Sequence, residues 1–72
     1  MGLKLYGRRD CHLCEEMAAA LRRRGVAFDE VDVDSSPELK ARFGRIVPVL
    51  TDAAGKELCR TRLDDAVLQQ IP

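Results

Sequence analysis

The sequence predicts an α/β fold of order βαβαββα, with a four-stranded mixed sheet and helices on both faces. Short apolar runs with two-residue alternation are separated by stretches of helical period. The first three elements form a βαβ unit, which sets two strands parallel with a right-handed crossover. The last two strands are joined by a loop suited to a hairpin.

Leu3-Lys4-Leu5-Tyr6 alternates with a mostly apolar face and reads as the first strand. Asp10 or Cys11 supplies the N-cap of the helix that follows. Leu13, Met17 and Leu21 recur every four residues, with Cys14 and Ala18 beside them, as one apolar stripe. Glu15 and Glu16 lie early in this helix and Arg22, Arg23 and Arg24 late, as the helix dipole favours. Gly25 is the expected left-handed C-cap. Val26 to Val33 reads as the second strand, with Phe28, Val31 and Val33 alternating against Asp29, Asp32 and Asp34. Ser35 or Ser36 caps a short second helix from Pro37 to Phe43, ended by Gly44. Ile46 to Leu50 is apolar and rich in β-branched residues, as a strand requires. Asp52-Ala53-Ala54-Gly55 is the hairpin loop and Lys56 to Arg60 the return strand. Leu63, Val67, Leu68 and Ile71 mark a final helix beginning near Asp64.

A chain of 72 residues is expected to form one domain, residues 1–72, with a small core. Lys and Arg total 12 and Asp and Glu total 12, so charge gives no support for attraction to nucleic acid or acidic membrane. Nothing in the sequence is long and apolar enough to span a bilayer. Met1-Gly2-Leu3-Lys4 runs directly into a strand, so no secretory signal is expected. Three cysteines, two of them nearly adjacent, do not make a structural disulfide framework. A monomer in the reducing cytoplasm is the expectation.

The chemistry centres on Cys11-His12-Leu13-Cys14. Two thiols at this spacing lie one helical turn apart and close a small disulfide ring. At a helix start the first thiol meets unpaired backbone N–H groups and the positive end of the dipole, and both favour thiolate. A pair of ordinary thiols is the plainer reading. A metal site is another, because Cys11, His12, Cys14 and Cys59 are four ligands by type. His12, the sole histidine, either favours the Cys11 thiolate when protonated or sits exposed at the rim. Arg8 and Arg9 either assist the thiolate or are solvated loop charges. Taken alone, Pro48 is a strand-opening proline with an ordinary trans bond. Cys59 is expected on the opposite strand face from Leu58, as a small core residue or a second reactive thiol. The run Arg22 to Arg24 is a solvated helix end, and Phe28 and Phe43 belong to the core.

A C-x-x-C at the first strand–helix junction, then Val47-Pro48 opening a strand before a hairpin and final helix, resembles the thioredoxin superfamily over essentially the whole chain. Its four strands and small size resemble a glutaredoxin. The run Leu5-Tyr6 … Cys11-His12-Leu13-Cys14-Glu15 is similar to a branch of small bacterial glutaredoxin-like proteins. The resemblance implies a thioredoxin-like (glutaredoxin-type) fold and thiol–disulfide oxidoreductase activity. It implies Cys11 as nucleophile, Cys14 as resolving thiol and Cys11–Cys14 as the redox disulfide. His12 and Arg8 would tune the Cys11 thiol. A cis Val47–Pro48 bond would aim the backbone of Val47 at an extended substrate. No bound cofactor and no metal are implied. The implied partners are protein disulfides or glutathione, with glutathione a possible co-substrate.

The chain departs from the family pattern at Thr61-Arg62-Leu63-Asp64-Asp65, where glutaredoxins carry a glycine pair, one residue and then acidic residues. Asp64 and Asp65 are placed to receive the α-amino group of glutathione, though Asp64 also suits a helix N-cap. His12 and Leu13 replace the usual proline and aromatic residue. These departures leave room for a catalytically weak binding or scaffold module. Metal or iron–sulfur handling, perhaps across a dimer, is a third reading, against which Cys14 and the missing glycine pair argue.

Overall fold

A computed structural model describes residues 2–61. Within them run β1 (Lys4–Gly7), α1 (His12–Arg23), β2 (Asp29–Asp32), a 3-10 turn (Val33–Ser35), α2 (Pro37–Phe43), β3 (Val49–Thr51) and β4 (Glu57–Arg60). The expected final helix lies outside the described residues. The four strands form one sheet in the order β2-β1-β3-β4. β1 runs parallel to β2, with Tyr6 opposite Val31, and antiparallel to β3, with Leu5 opposite Leu50. β3 and β4 are antiparallel. The mixed sheet is therefore the one expected.

Alternation along the central strands divides the core in two. Leu5 and Leu50 point to the side where Met17, Ala18 and Leu21 of α1 cover them. Val49, with Tyr6 beside it, points to the other side, against Val33 and Phe43. The Tyr6 and Phe43 rings stack with centroids 4.6 Å apart. Among the described residues one helix thus packs on each face, because each side of the sheet presents apolar side chains that water would otherwise meet.

Helix α1 ends where its glycine permits. The Gly25 N–H donates to the Arg22 carbonyl and the Val26 N–H to the Leu21 carbonyl, each at 3.0 Å. Gly25 takes φ +70°, the left-handed conformation this closing motif needs. Val26 is consumed by that cap, so β2 begins only at Asp29 and not at Val26. β2 also ends early. The Asp32 carboxylate accepts the Asp34 N–H at 2.9 Å and turns the chain at Val33, whose side chain still reaches the core. At α2, Ser36 rather than Ser35 is the cap, its hydroxyl accepting the Leu39 N–H.

Two expectations about side chains change. Leu13 is 41% exposed and does not share the buried stripe of Cys14, Met17, Ala18 and Leu21. At about 100° per residue, Leu13 lies roughly 90° from the centre of that stripe. Leu58 and Cys59 do not take opposite faces: both pack against the α1-side cluster. The cause is a register shift in which Leu50 pairs with Cys59 but Thr51 with Glu57. The extra residue breaks the two-residue alternation, as a β-bulge does.

Candidate functional site

β1 ends at Gly7, and Arg8, Arg9 and Asp10 turn the chain into α1. Asp10 adopts φ +57°, a left-handed conformation that Asp tolerates better than most residues. Cys11, not Asp10, is the N-cap: its backbone is extended and its Sγ accepts the Cys14 N–H at 3.1 Å. The cap is a sulfur where an oxygen usually stands. Cys11 and Cys14 are joined as a disulfide, with Cα atoms 5.2 Å apart.

The two sulfurs are not equivalent. Cys14 is buried at 7% exposure in the first turn of α1, whereas Cys11 is half-buried at the helix mouth. Gly7 lies directly against Cys14, a contact that strand alternation does not disclose. A cavity of about 470 Å³ runs between α1 and the β1–β2 pair, lined by Gly7, Arg8, Cys14, Ala18 and Glu30 among others.

The flanking charges are engaged. The Arg8 guanidinium pairs with Asp34 at 2.8 Å, tying the turn before Cys11 to the 3-10 turn after β2. His12 Nε2 lies 3.0 Å from Glu16 Oε1, one helical turn along α1, and its side chain is 83% exposed. Arg9 is exposed. Among the described residues no three His, Cys, Asp or Glu side chains gather as a metal site.

The Val47–Pro48 bond is cis. Because Tyr6 pairs with Val49, Pro48 stands one step beyond, at the end of the sheet from which the Cys11 turn emerges. Pro48 is fully buried and Val47 half-buried. The Pro48 carbonyl accepts the Thr61 N–H at 2.8 Å, and Thr61 takes φ +69°. Thr61 thus closes the β3–β4 pairing beside the proline, in a backbone conformation that favours glycine. The sequence signal for this was the position itself, where the resembling family has a glycine. Asp64 and Asp65 lie outside the described residues.

A glutaredoxin-like domain model, DUF836, matches residues 2–71. This chain belongs to the glutaredoxin-like family. Two solved bacterial structures are similar to this glutaredoxin-like domain. The X-ray structure of XcR50 from X. campestris is 39% identical, with a TM-score of 0.80 over 94% of this chain and 91% of that one. The solution structure of Ne2328 from Nitrosomonas europaea is 36% identical, with a TM-score of 0.83 over 96% of this chain and 87% of that one. The thioredoxin-like protein BC3987, 22% identical, shares the fold with a TM-score of 0.71 over 96% of this chain and 91% of that one. No curated protein matches. The glutaredoxin-like domain therefore has the thioredoxin-like fold, and its close Cys11–Cys14 pair fits redox activity. No helix among the described residues is long and apolar enough to cross a membrane.

Proposed function

We propose that this glutaredoxin-like chain is a thiol–disulfide oxidoreductase that reduces protein or glutathione mixed disulfides. The observation that carries the reading is the asymmetry of the pair. Cys11 is the half-buried cap at the helix mouth, and Cys14 is the buried neighbour whose N–H points at the Cys11 sulfur. In the reduced protein the Cys11 thiolate attacks a substrate disulfide. One substrate sulfur leaves as thiolate and the other stays bonded to Cys11. Cys14, losing its proton, then attacks Cys11, expels the second substrate thiolate and closes the Cys11–Cys14 disulfide. Two electrons pass to the substrate. A thiol donor such as glutathione restores the dithiol, in the reducing cytoplasm and with no bound cofactor or metal.

Val47 and Pro48 serve as the substrate platform, since the cis bond lies at the end of the sheet that carries the Cys11 turn. Asp64 and Asp65 complete the reading as acceptors for the glutathione amino group. Arg8 and His12 serve as the tuning groups that flank the Cys11 thiol, Arg8 held by its pair with Asp34 and His12 beside Glu16.

The test is dithiothreitol-driven insulin reduction together with hydroxyethyl-disulfide reduction. Cys11→Ser is expected to abolish both. Cys14→Ser is expected to accumulate a Cys11 mixed disulfide visible by mass spectrometry. Equal rates for wild type and Cys11→Ser would overturn the assignment and leave a binding module.

A further inference from the structure

The second half of that reaction depends on where the Cys14 sulfur sits, and Gly7 is what it sits against. A Cβ built on Gly7 would lie 3.2 Å from Cys14 Cβ and 3.2 Å from Cys14 Sγ. Both distances are short of ordinary van der Waals contact between such atoms, which is about 3.5–4.0 Å for carbon pairs. Rotation about the Cys14 Cα–Cβ bond moves Sγ but leaves Cβ in place, so no rotamer relieves both contacts. Cys14 is buried and anchored in the first turn of α1. A methyl group at position 7 would therefore require Cys14 and its turn to give by a few tenths of an ångström.

We propose that Gly7 is a positioning residue for the resolving thiol. By having no side chain, it lets Cys14 Sγ lie within reach of Cys11 while remaining buried. The proposal rests on the thiol–disulfide reading above. It assigns Gly7 to one step of it: attack of Cys14 on the Cys11 mixed disulfide, which forms the Cys11–Cys14 bond and releases the substrate thiolate. The first step, attack of Cys11 on a disulfide arriving from solvent, requires only that Cys11 be accessible and ionised. Gly7 does not govern it.

Glycine is otherwise a poor choice here. Gly7 is in β1, paired with Asp32 of β2, and has no positive φ. In such a strand position Ala is ordinarily the more stable residue. A loss on Gly7→Ala would thus run against the general trend and point to the sulfur contact.

Pre-reduced wild type and Gly7→Ala are mixed with hydroxyethyl disulfide, quenched in acid at intervals and weighed by mass spectrometry, which separates dithiol, mixed disulfide and internal disulfide. Gly7→Ala is expected to form the mixed disulfide within about twofold of the wild-type rate. It is expected to resolve it about tenfold more slowly, since sub-ångström misplacement of reacting groups carries penalties of this order. The mixed disulfide then accumulates. Equal slowing of both steps, or no slowing of either, would overturn the role of Gly7. Wild-type protein that forms neither the mixed disulfide nor the internal disulfide would overturn the reaction itself. Should Gly7→Ala not fold, Gly7→Ala combined with Cys14→Gly removes both contacted atoms and is expected to fold. Failure of that double variant as well would overturn the proposal.

Discussion

Cys11 caps the very helix that carries Cys14, and the Cys14 N–H donates to the Cys11 sulfur at 3.1 Å. A donor of this kind stabilises a thiolate more than a thiol, as does the positive helix end behind it. In Cys14→Ser, which keeps the backbone N–H, the pH dependence of Cys11 alkylation by iodoacetamide is expected to have its midpoint below the ~8.5 of a free cysteine. A group whose ionised form is favoured by folding adds stability above its unfolded pKa, and that contribution is lost as pH falls through its folded value. The reduced protein is therefore expected to gain stability as pH rises through that window, measured by urea unfolding in the presence of a reductant. An alkylation midpoint equal to that of a cysteine peptide would show that the cap does not favour the Cys11 thiolate.

Two leucines on α1 should behave oppositely. Leu21 is fully buried in the α1-side cluster, whereas Leu13 is 41% exposed. Leu21→Ala leaves a cavity in a packed core and is expected to cost about 2–5 kcal/mol. Leu13→Ala has no cavity to create and is expected to change stability by less than about 0.5 kcal/mol. Denaturant midpoints for the two variants check the contrast.

Much of this fold is legible in the sequence, and for identifiable reasons. The order of elements through β4 follows from period and punctuation: Gly25 at a left-handed cap, Ser36-Pro37 at a helix start, and the loop from Asp52 to Gly55, where the Asp52 carboxylate accepts the Ala54 and Lys56 N–H groups. The cis Val47–Pro48 bond was not legible from the residues, since nothing local distinguishes it from an ordinary X-Pro bond; it came from the family resemblance. Strand ends fall short of the apolar runs where caps and turns consume apolar residues, as at Val26 and Val33. The bulge at Leu58 was invisible because nothing near it breaks the strand pattern. The partners of Arg8 and His12 depend on tertiary and i,i+4 geometry, which spacing leaves open for the first and only permits for the second.

The Arg8–Asp34 pair joins the turn before Cys11 to the 3-10 turn, with the two side chains 32% and 43% exposed. At that exposure water and salt screen the attraction, and the long arginine side chain loses rotamer freedom in making it. A double-mutant cycle with Arg8→Gln and Asp34→Asn is expected to give a coupling of no more than about 1 kcal/mol in stability, smaller still in high salt. A coupling that is large and insensitive to salt would mean that the pair is structurally essential to the turn.

Thr61 holds φ +69° while its N–H donates to the Pro48 carbonyl. The left-handed region crowds the Cβ of any L residue against the backbone, by roughly 1–2 kcal/mol, and a β-branched side chain is the least suited to it. Glycine adopts this conformation freely but loses more entropy on folding, which offsets part of the relief. Thr61→Gly is thus expected to raise stability by on the order of 1 kcal/mol while keeping the bond to Pro48. On the proposed function it also restores one of the family's glycines beside the substrate platform. Its rate with glutathione mixed disulfides should then rise relative to its rate with insulin. Thermal denaturation reads the first effect and the ratio of the two rates reads the second. A lower midpoint would show that the threonine side chain makes contacts worth more than the conformational cost.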